Sequence, residues 1–246
     1  MENRRPDCCV LIPTYNNAGT VADVVARARA QGLPVAVIDD GCTDATPARL
    51  AALPGPLTVL THETNRGKGI ALKTGLAWAK AQGYRYAITL DADGQHFPED
   101  LPAFRKAMDA HPGALIVGSR DLRAENMPGG NSFANRFSNF WFRVQTARRL
   151  PDTQTGFRAY PLDRLPDLRL LTARYEAELT LLVFSAWKGV ELLPLPIRVY
   201  YPAPEARVSS FRPFRDFFRI SLLNTGLCLL ALVYGYPRMI LHKLLR

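Results

Sequence analysis

The chain of 246 residues is poor in cysteine and contains no internal repeat and no low-complexity segment. Its four cysteines, Cys8, Cys9, Cys42 and Cys228, have neither the paired spacing of a zinc site nor the regular framework of a small secreted domain, so reduced thiols are expected. The polar start, Met1 to Asp7, lacks a signal-peptide apolar region and leads directly into a strand-like run; the catalytic part is therefore expected in the cytoplasm. Zinc spacing and an aromatic RNA-binding signature are both missing, which leaves nucleic-acid binding supported by basicity alone. What is present is a formal net charge of +9, which favours anionic partners such as acidic lipid surfaces or phosphorylated substrates. With 48% hydrophobic residues, this length can bury one sizeable core, and one catalytic domain with an appendage is expected.

Apolar runs and amphipathic stretches alternate along the first half. Cys8 to Ile12 reads as a buried strand ending at Pro13, followed by helical spacing from Thr20 to Ala30. Val35 to Ile38, Leu57 to Thr61, Tyr86 to Leu90 and Ala114 to Val117 read as further strands, and Thr46 to Leu53, Gly69 to Ala81 and Pro98 to Met108 as helices. Such alternation implies an α/β architecture with a mainly parallel sheet covered on both faces. Ligands of these sheets gather beyond the carboxyl ends of the strands, where Thr14 to Asn17, Asp39 to Asp44 and Asp91 to His96 fall.

After Arg120 the pattern predicts a turn at Gly129 to Asn131, a helix from Phe133 to Thr146, a polar loop from Pro151 to Arg158 and a helix from Thr172 to Ala186. Val190 to Tyr200 reads as a strand whose Pro194 and Pro196 suit a sheet edge. From Phe217 to Leu241 only Arg219 and Arg238 are charged, with Arg212, Arg215, His242, Lys243 and Arg246 on the flanks. That length approaches the roughly 20 residues that span a bilayer. Asn224, Gly226, Gly235 and Pro237 interrupt it, however, and Pro237 is expected to end or kink a helix. Two short helices in the membrane interface fit at least as well as one span, and a helix packed on the catalytic domain or on a dimer partner is the bland alternative.

The chemistry concentrates in three loops. Asp91-Ala92-Asp93-Gly94-Gln95-His96 follows a strand with two carboxylates, oxygen ligands suited to a hard divalent cation shared with a diphosphate. Taken alone they could equally be solvated turn residues or helix caps. Asp39-Asp40-Gly41-Cys42-Thr43-Asp44 follows another strand, where carboxylates can accept hydrogen bonds from a base or ribose, or where Thr43 or Asp44 can cap the next helix. Asn65-Arg66-Gly67-Lys68-Gly69 opens a helix whose positive end and Lys68 suit a phosphate. Glu176 and Glu178 cannot share one helix face, so at most one points into a site, and neither is assigned a metal.

These loops, with Ile12-Pro13-Thr14-Tyr15-Asn16, Gly118-Ser119-Arg120 and Asp152-Thr153-Gln154-Thr155-Gly156-Phe157-Arg158, occur in the order found in the inverting family-2 glycosyltransferases. The chain from Cys8 to about Phe211 resembles that family, and within it the polyprenyl-phosphate sugar synthases. The resemblance implies a GT-A fold over residues 1–211, with residues 212–246 as membrane-associated or packing helices. It implies a donor pocket of Pro13, Tyr15, Asn16, Asp39, Asp40, Lys68, Gly69, Asp91 and Ala92, and Mg2+ or Mn2+ held by Asp91, Asp93 and Gln95. Arg120, Arg136 and Arg207 would take an acceptor phosphate, for which the planar guanidinium fork is suited. The segment Arg207 to Phe211 lacks the glycine often found in the family's mobile loop. Asp93, Arg120, Asp152 and Arg207 are the candidate catalytic residues.

The activity so implied is metal-dependent transfer of a hexose, with inversion, from a GDP- or UDP-sugar to a polyprenyl phosphate at the cytoplasmic membrane face. In one alternative the acceptor is a lipid or polyketide hydroxyl, with Asp152 as general base rather than as a turn carboxylate. In another the chain is a membrane-tethered nucleotide-sugar-binding protein without catalysis. His96 either touches the leaving phosphate or supports the turn after Gln95.

Overall fold

The computed structural model describes residues 7–121, 129–168, 176–201 and 213–244 of the chain. Seven strands form one sheet: β1 (Cys8–Thr14), β2 (Val35–Asp39), β3 (Thr58–Thr61), β4 (Tyr86–Thr89), β5 (Leu115–Ser119), β6 (Arg158–Pro161) and β7 (Leu192–Pro196), in the order β3-β2-β1-β4-β6-β5-β7. Every residue of β1, β2 and β4 is buried, as expected of strands covered on both faces. Alternate β1 side chains go to opposite layers: Val10 and Ile12 pack with α1 (Val21–Ala30) and α4 (Leu101–Ala110). Cys9 and Leu11 pack with α3 (Lys68–Ala81) and α6 (Glu176–Trp187). The short α2 (Thr46–Ala51) links β2 to β3.

Pro13 does not end the first strand, contrary to the sequence reading; β1 continues to Thr14. In a parallel pair alternate residues bond to opposite neighbours. Val10 N–H and Thr14 C=O both bond on the β2 side, at 2.8 and 2.9 Å, which turns Pro13 towards β4. The β4 pairing has already finished at Leu11 and Thr89, so the missing N–H of Pro13 breaks no ladder bond.

A second correction concerns β6, part of which the sequence reading placed in a polar loop. It is four residues long, begins on an arginine, and runs antiparallel to both β4 and β5, whereas the other strand pairs are parallel. Arg158 is fully buried because its guanidinium donates to the carbonyls of Glu178 (2.7 Å) and Thr153 (2.9 Å). A third correction is α5 (Gly129–Thr146), which starts on the residues read as a turn. The first N–H groups of a helix lack intrahelical partners in any case, so this Gly/Asn segment can occupy the opening turn. Strand β7 pairs only with β5 and so lies at the edge, as Pro194 and Pro196 predict. Residues 172–175, read as the start of α6, lie outside the described residues.

The C-terminal segment is one continuous helix and not two: α7 (Pro213–Leu230), a wide π turn over Ala231–Gly235, and α8 (Tyr236–Leu244). Pro237 cannot donate to Val233, and the widened turn, in which Tyr236 N–H reaches Ala231 C=O, absorbs the misfit. One side of this helix is fixed to the catalytic layer. Gln145 Nε2 donates to Asn224 Oδ1 at 2.9 Å, Trp187 Nε1 donates to Gln145 C=O at 2.8 Å, and the Tyr236 hydroxyl donates to Val144 C=O. Gly235 lies flat on the Trp187 indole, where a Cβ would come within 2.4 Å. The other side exposes Leu222, Leu229, Leu232, Val233, Ile240, Leu241 and Leu244. By length and composition Ile220–Leu244 could cross a membrane.

Phe104 of α4 is fully buried and stacks on Phe157 at 4.3 Å between ring centroids. Phe104→Ala should lower stability by about 3–5 kcal/mol, read from the midpoint of urea unfolding.

Candidate active site

Three loops meet at the carboxyl ends of β1, β2 and β4, braced by carboxylate and amide side chains. Asp40, after β2, accepts hydrogen bonds from the backbone N–H groups of Arg66 (3.0 Å) and Gly67 (2.8 Å), and its Oδ1 lies 2.7 Å from His62 Nδ1. It therefore holds the entrance of α3, where Gly67 takes φ +94°. Gly41 is required beside it: at φ +71°, a Cβ would stand 2.4 Å from the Thr64 carbonyl carbon. Asp39 accepts from Cys42 N–H at 2.8 Å, and the Asn16 side-chain amide exchanges bonds with Thr43 at 2.8 and 3.2 Å. Asp44 accepts from Thr46 N–H at 2.9 Å and Ala18 N–H at 3.1 Å, so the loops after β1 and β2 are stitched to each other.

Lys68, the first residue of α3, directs its ammonium between Asp91 Oδ1 (2.7 Å) and Glu178 Oε2 (3.3 Å). Burial opposes the charge on Lys68, but the two carboxylates outweigh it and raise its pKa. Burial likewise works against ionised Asp91, and Lys68 prevails, holding that carboxyl below its usual range. Asp93 differs. Its side chain reaches solvent and its Oδ1 accepts from Gln95 N–H at 2.9 Å, yet partial desolvation and the neighbouring Asp91 charge push its pKa up. Gly156 fits the crowding: a Cβ there would lie 2.5 Å from Asp91 Oδ2.

No group of three or more His, Cys, Asp or Glu side chains placed to hold a metal ion occurs among the described residues. The arrangement suits instead a cation taking one or two carboxylate ligands and completing its shell from substrate phosphates and water. A dication beside Asp93 would relieve the charge that Lys68 leaves uncompensated. His96, next in the loop, is buried against Phe157 with its Nδ1 unpartnered, and burial lowers its pKa, so the ring is neutral near pH 7.

The second half of the rim carries a clamp. Arg120, just past β5, donates from Nε to Asp152 Oδ2 (2.6 Å) and from Nη2 to Oδ1 (3.0 Å). Asn135 Nδ2 (2.6 Å) and Gln154 N–H (3.0 Å) add bonds to Oδ1. Asp152 is 0% exposed; burial disfavours its charge, but Arg120 and the other donors win and lower its pKa.

Of the expected site residues, the fold brings Lys68 and Asp91 into direct contact, adds Glu178 to them, and joins Arg120 to Asp152. Tyr15 and Asn16 are exposed at the rim, Pro13, Gly69 and Ala92 are buried beneath it, and Gln95 is half-buried. Thr20 Oγ1 fixes Ala92 by donating to its carbonyl at 2.6 Å. Arg136 lies exposed on α5, beside the clamp residue Asn135 in sequence, and Arg207 lies outside the described residues. Sequence reasoning left Glu178 without a role, and missed His62 and Asn135. A pair of carboxylates, Glu176 and Glu178, opening the otherwise apolar α6 was the available signal for Glu178; nothing local marks the other two.

Removing Arg120 strands a buried carboxylate, so Arg120→Ala should cost about 3–5 kcal/mol near neutral pH. Because the folded pKa of Asp152 is depressed, its stabilisation is fully present above the usual carboxylate value of 3.8 and is lost as pH falls through the lower folded value. Urea unfolding of wild type and variant should therefore converge only below that pH.

Residues 9–160 match the family described as glycosyl transferase family 2. Among similar proteins, the glycosyltransferase AglJ of Haloferax volcanii is 31% identical over 217 residues, covering 86% of this chain and 69% of that protein. The undecaprenyl-phosphate mannosyltransferase of Micrococcus luteus is 29% identical, covering 76% and 81%. Among solved structures, glucosyl-3-phosphoglycerate synthase from Mycobacterium tuberculosis, in complex with Mn2+, UDP-glucose and phosphoglyceric acid, superposes with a TM-score of 0.64 at 17% identity, covering 91% of this chain and 79% of that one. That likeness establishes the fold as GT-A. With its rim motifs, its sheet and its match over more than half its length, the chain belongs to the family-2 glycosyltransferases.

Proposed function

We propose that this enzyme moves one hexose, with inversion, from a GDP- or UDP-sugar to a polyprenyl phosphate at the cytoplasmic face of the membrane. The observation that carries the choice of acceptor is the state of Asp152. A hydroxyl acceptor needs a general base whose pKa lies near the working pH. Asp152 is instead buried, bonded through both oxygens, and depressed in pKa, which suits a strut for Arg120 and not a proton acceptor. A phosphate acceptor is already anionic and needs no such base. The mannosyltransferase of M. luteus, similar over most of both chains, carries an undecaprenyl phosphate in its name and supports the same reading.

In this reading Arg120, with Arg136 and Arg207, steers the acceptor phosphate towards the anomeric carbon, and the rigidity of the Arg120–Asp152 pair fixes the direction of attack. Tyr15, Asn16, Asp39 and Asp40, with Pro13, Gly69 and Ala92 behind them, shape the nucleotide pocket. The positive end of α3 and Lys68 face the diphosphate. Asp91, Asp93 and Gln95 would hold Mg2+ or Mn2+, which when bound supplies positive charge to the departing diphosphate. The neighbouring enzyme's complex with Mn2+ and UDP-glucose supports this choice of cation and donor type. Residues 1–211 form the catalytic part in this scheme. The exposed apolar side of the C-terminal helix, with Phe140 and Val144 of α5, rests on the bilayer.

The test is mass spectrometry of lipids after incubating the membrane-bound enzyme with Mn2+, mixed isotopically labelled nucleotide sugars and polyprenyl phosphate. A hexosyl-phospho-polyprenol is expected, and its absence with every donor sinks the proposal. Asp93→Ala should reduce its formation on the order of 100-fold or more while unfolding remains cooperative. Asp152→Asn should retain turnover within about tenfold of wild type. A drop of about 100- to 10,000-fold, the range a general base supplies, would favour the hydroxyl acceptor.

A further inference from the structure

A cavity of about 370 Å³ lies between Arg164, Lys188, Gly189, Val190 and His242. It belongs to the opposite end of the sheet from the candidate active site. Gly189 and Val190 precede β7, and Arg164 follows the antiparallel β6, so both segments are at the amino ends of the parallel strands. The volume is in the range of small-molecule sites.

The lining is cationic and short of acids. Lys188 Nζ donates to Leu165 C=O at 2.7 Å, and no ion pair of Lys188 or Arg164 is found among the described residues. Asp163 lies with Arg164 along a second, smaller cavity of about 100 Å³. Burial first, and then the charges of Arg238 and Lys80, pull the Lys188 pKa down. His242 closes the wall: its ring packs over Gly189, which at φ +77° has no Cβ to collide with Cε1 at 2.7 Å.

The position of His242 decides which anion fits. It is carried by the covered side of α8, next to Leu241, which exposes 56% of its surface, while Ile240 and Leu244 expose 60% and 78% on the outer side of the same helix. An anion with a hydrocarbon tail can place its charge among Arg164, Lys188 and His242 and its chains along those side chains. We propose that this cavity binds the phosphate of an acidic phospholipid, pinning the C-terminal helix flat in the headgroup layer. The proposal rests on the membrane reading above. It also accounts for the mode of contact, since a helix fixed at Asn224, Gly235, Tyr236 and His242 has its length committed to the catalytic layer and lies along the surface.

The experiment measures sedimentation with vesicles of phosphatidylcholine alone or mixed with phosphatidylglycerol. Three proteins are compared: the full chain, Arg164→Gln/Lys188→Gln, and Arg143→Gln/Lys243→Gln, which removes the same charge from exposed positions outside the cavity. The wild type should prefer the acidic vesicles, and the cavity variant should lose at least about tenfold more of that preference than the control variant, since unspecific attraction weakens by about fivefold for each charge removed. Lys188→Arg should restore binding, which also guards against a folding defect. Equal losses in the two double variants would overturn the site, as would phosphate binding in solution that the cavity variant abolishes while its preference for acidic vesicles persists. Failure of the wild type to bind either vesicle would overturn the membrane reading itself, and the lipid source with it.

Discussion

The site depends on one ammonium group shared by two carboxylates. Lys68 opens α3, Asp91 ends the stretch after β4, and Glu178 sits in the first turn of α6, so a single cation ties together elements that are far apart in the chain. Each partner is buried enough that its charge would be unfavourable alone. With all three present the carboxylate of Asp91 stays ionised, while Asp93 next to it remains short of positive charge. The rim is thus arranged around an electrostatic deficit at one defined point.

The backbone around this network is held by polar side chains that bond from one loop to the next. Asp40 fixes the entrance of α3, Asp44 and Asn16 join the first two loops, and the Arg120–Asp152 clamp anchors the loop before β6. Several residues with charged or amide side chains therefore act as scaffold. This division explains how a rim built from loops can be rigid: its polar groups are satisfied by one another before any substrate arrives.

The rim loops at Asp91 and Lys68 were legible in the sequence because their signals are local. Asp91 and Asp93 follow an apolar run, Gly67 and Lys68 precede an amphipathic one, and the alternation of strands and helices places both at one rim. The rim around Asp152 was harder to read. β6 is four residues long and starts on a charged residue, so no periodicity marks it, and the burial of Arg158 depends on carbonyls supplied by Glu178 and Thr153. The continuity of the last helix was hidden for a similar reason. Proline predicts a break unless the preceding turn can widen, and here that turn is seated on Trp187 through Gly235. His62 and Asn135 acquire their roles only from tertiary contacts with Asp40 and Asp152.

The reversed direction of β6 couples the loop of Asp152 to the loop of Asp91. Because it pairs with β4, Thr89 Oγ1 donates to the Gly156 carbonyl at 2.6 Å, and Gly156 in turn leaves the space that Asp91 occupies. The loop that presents Asp152 and the loop that presents Asp91 are therefore tied to each other through Gly156. A segment transplanted between the Arg120–Asp152 clamp and β6 must bring its own glycine at this position, or Asp91 is displaced along with it.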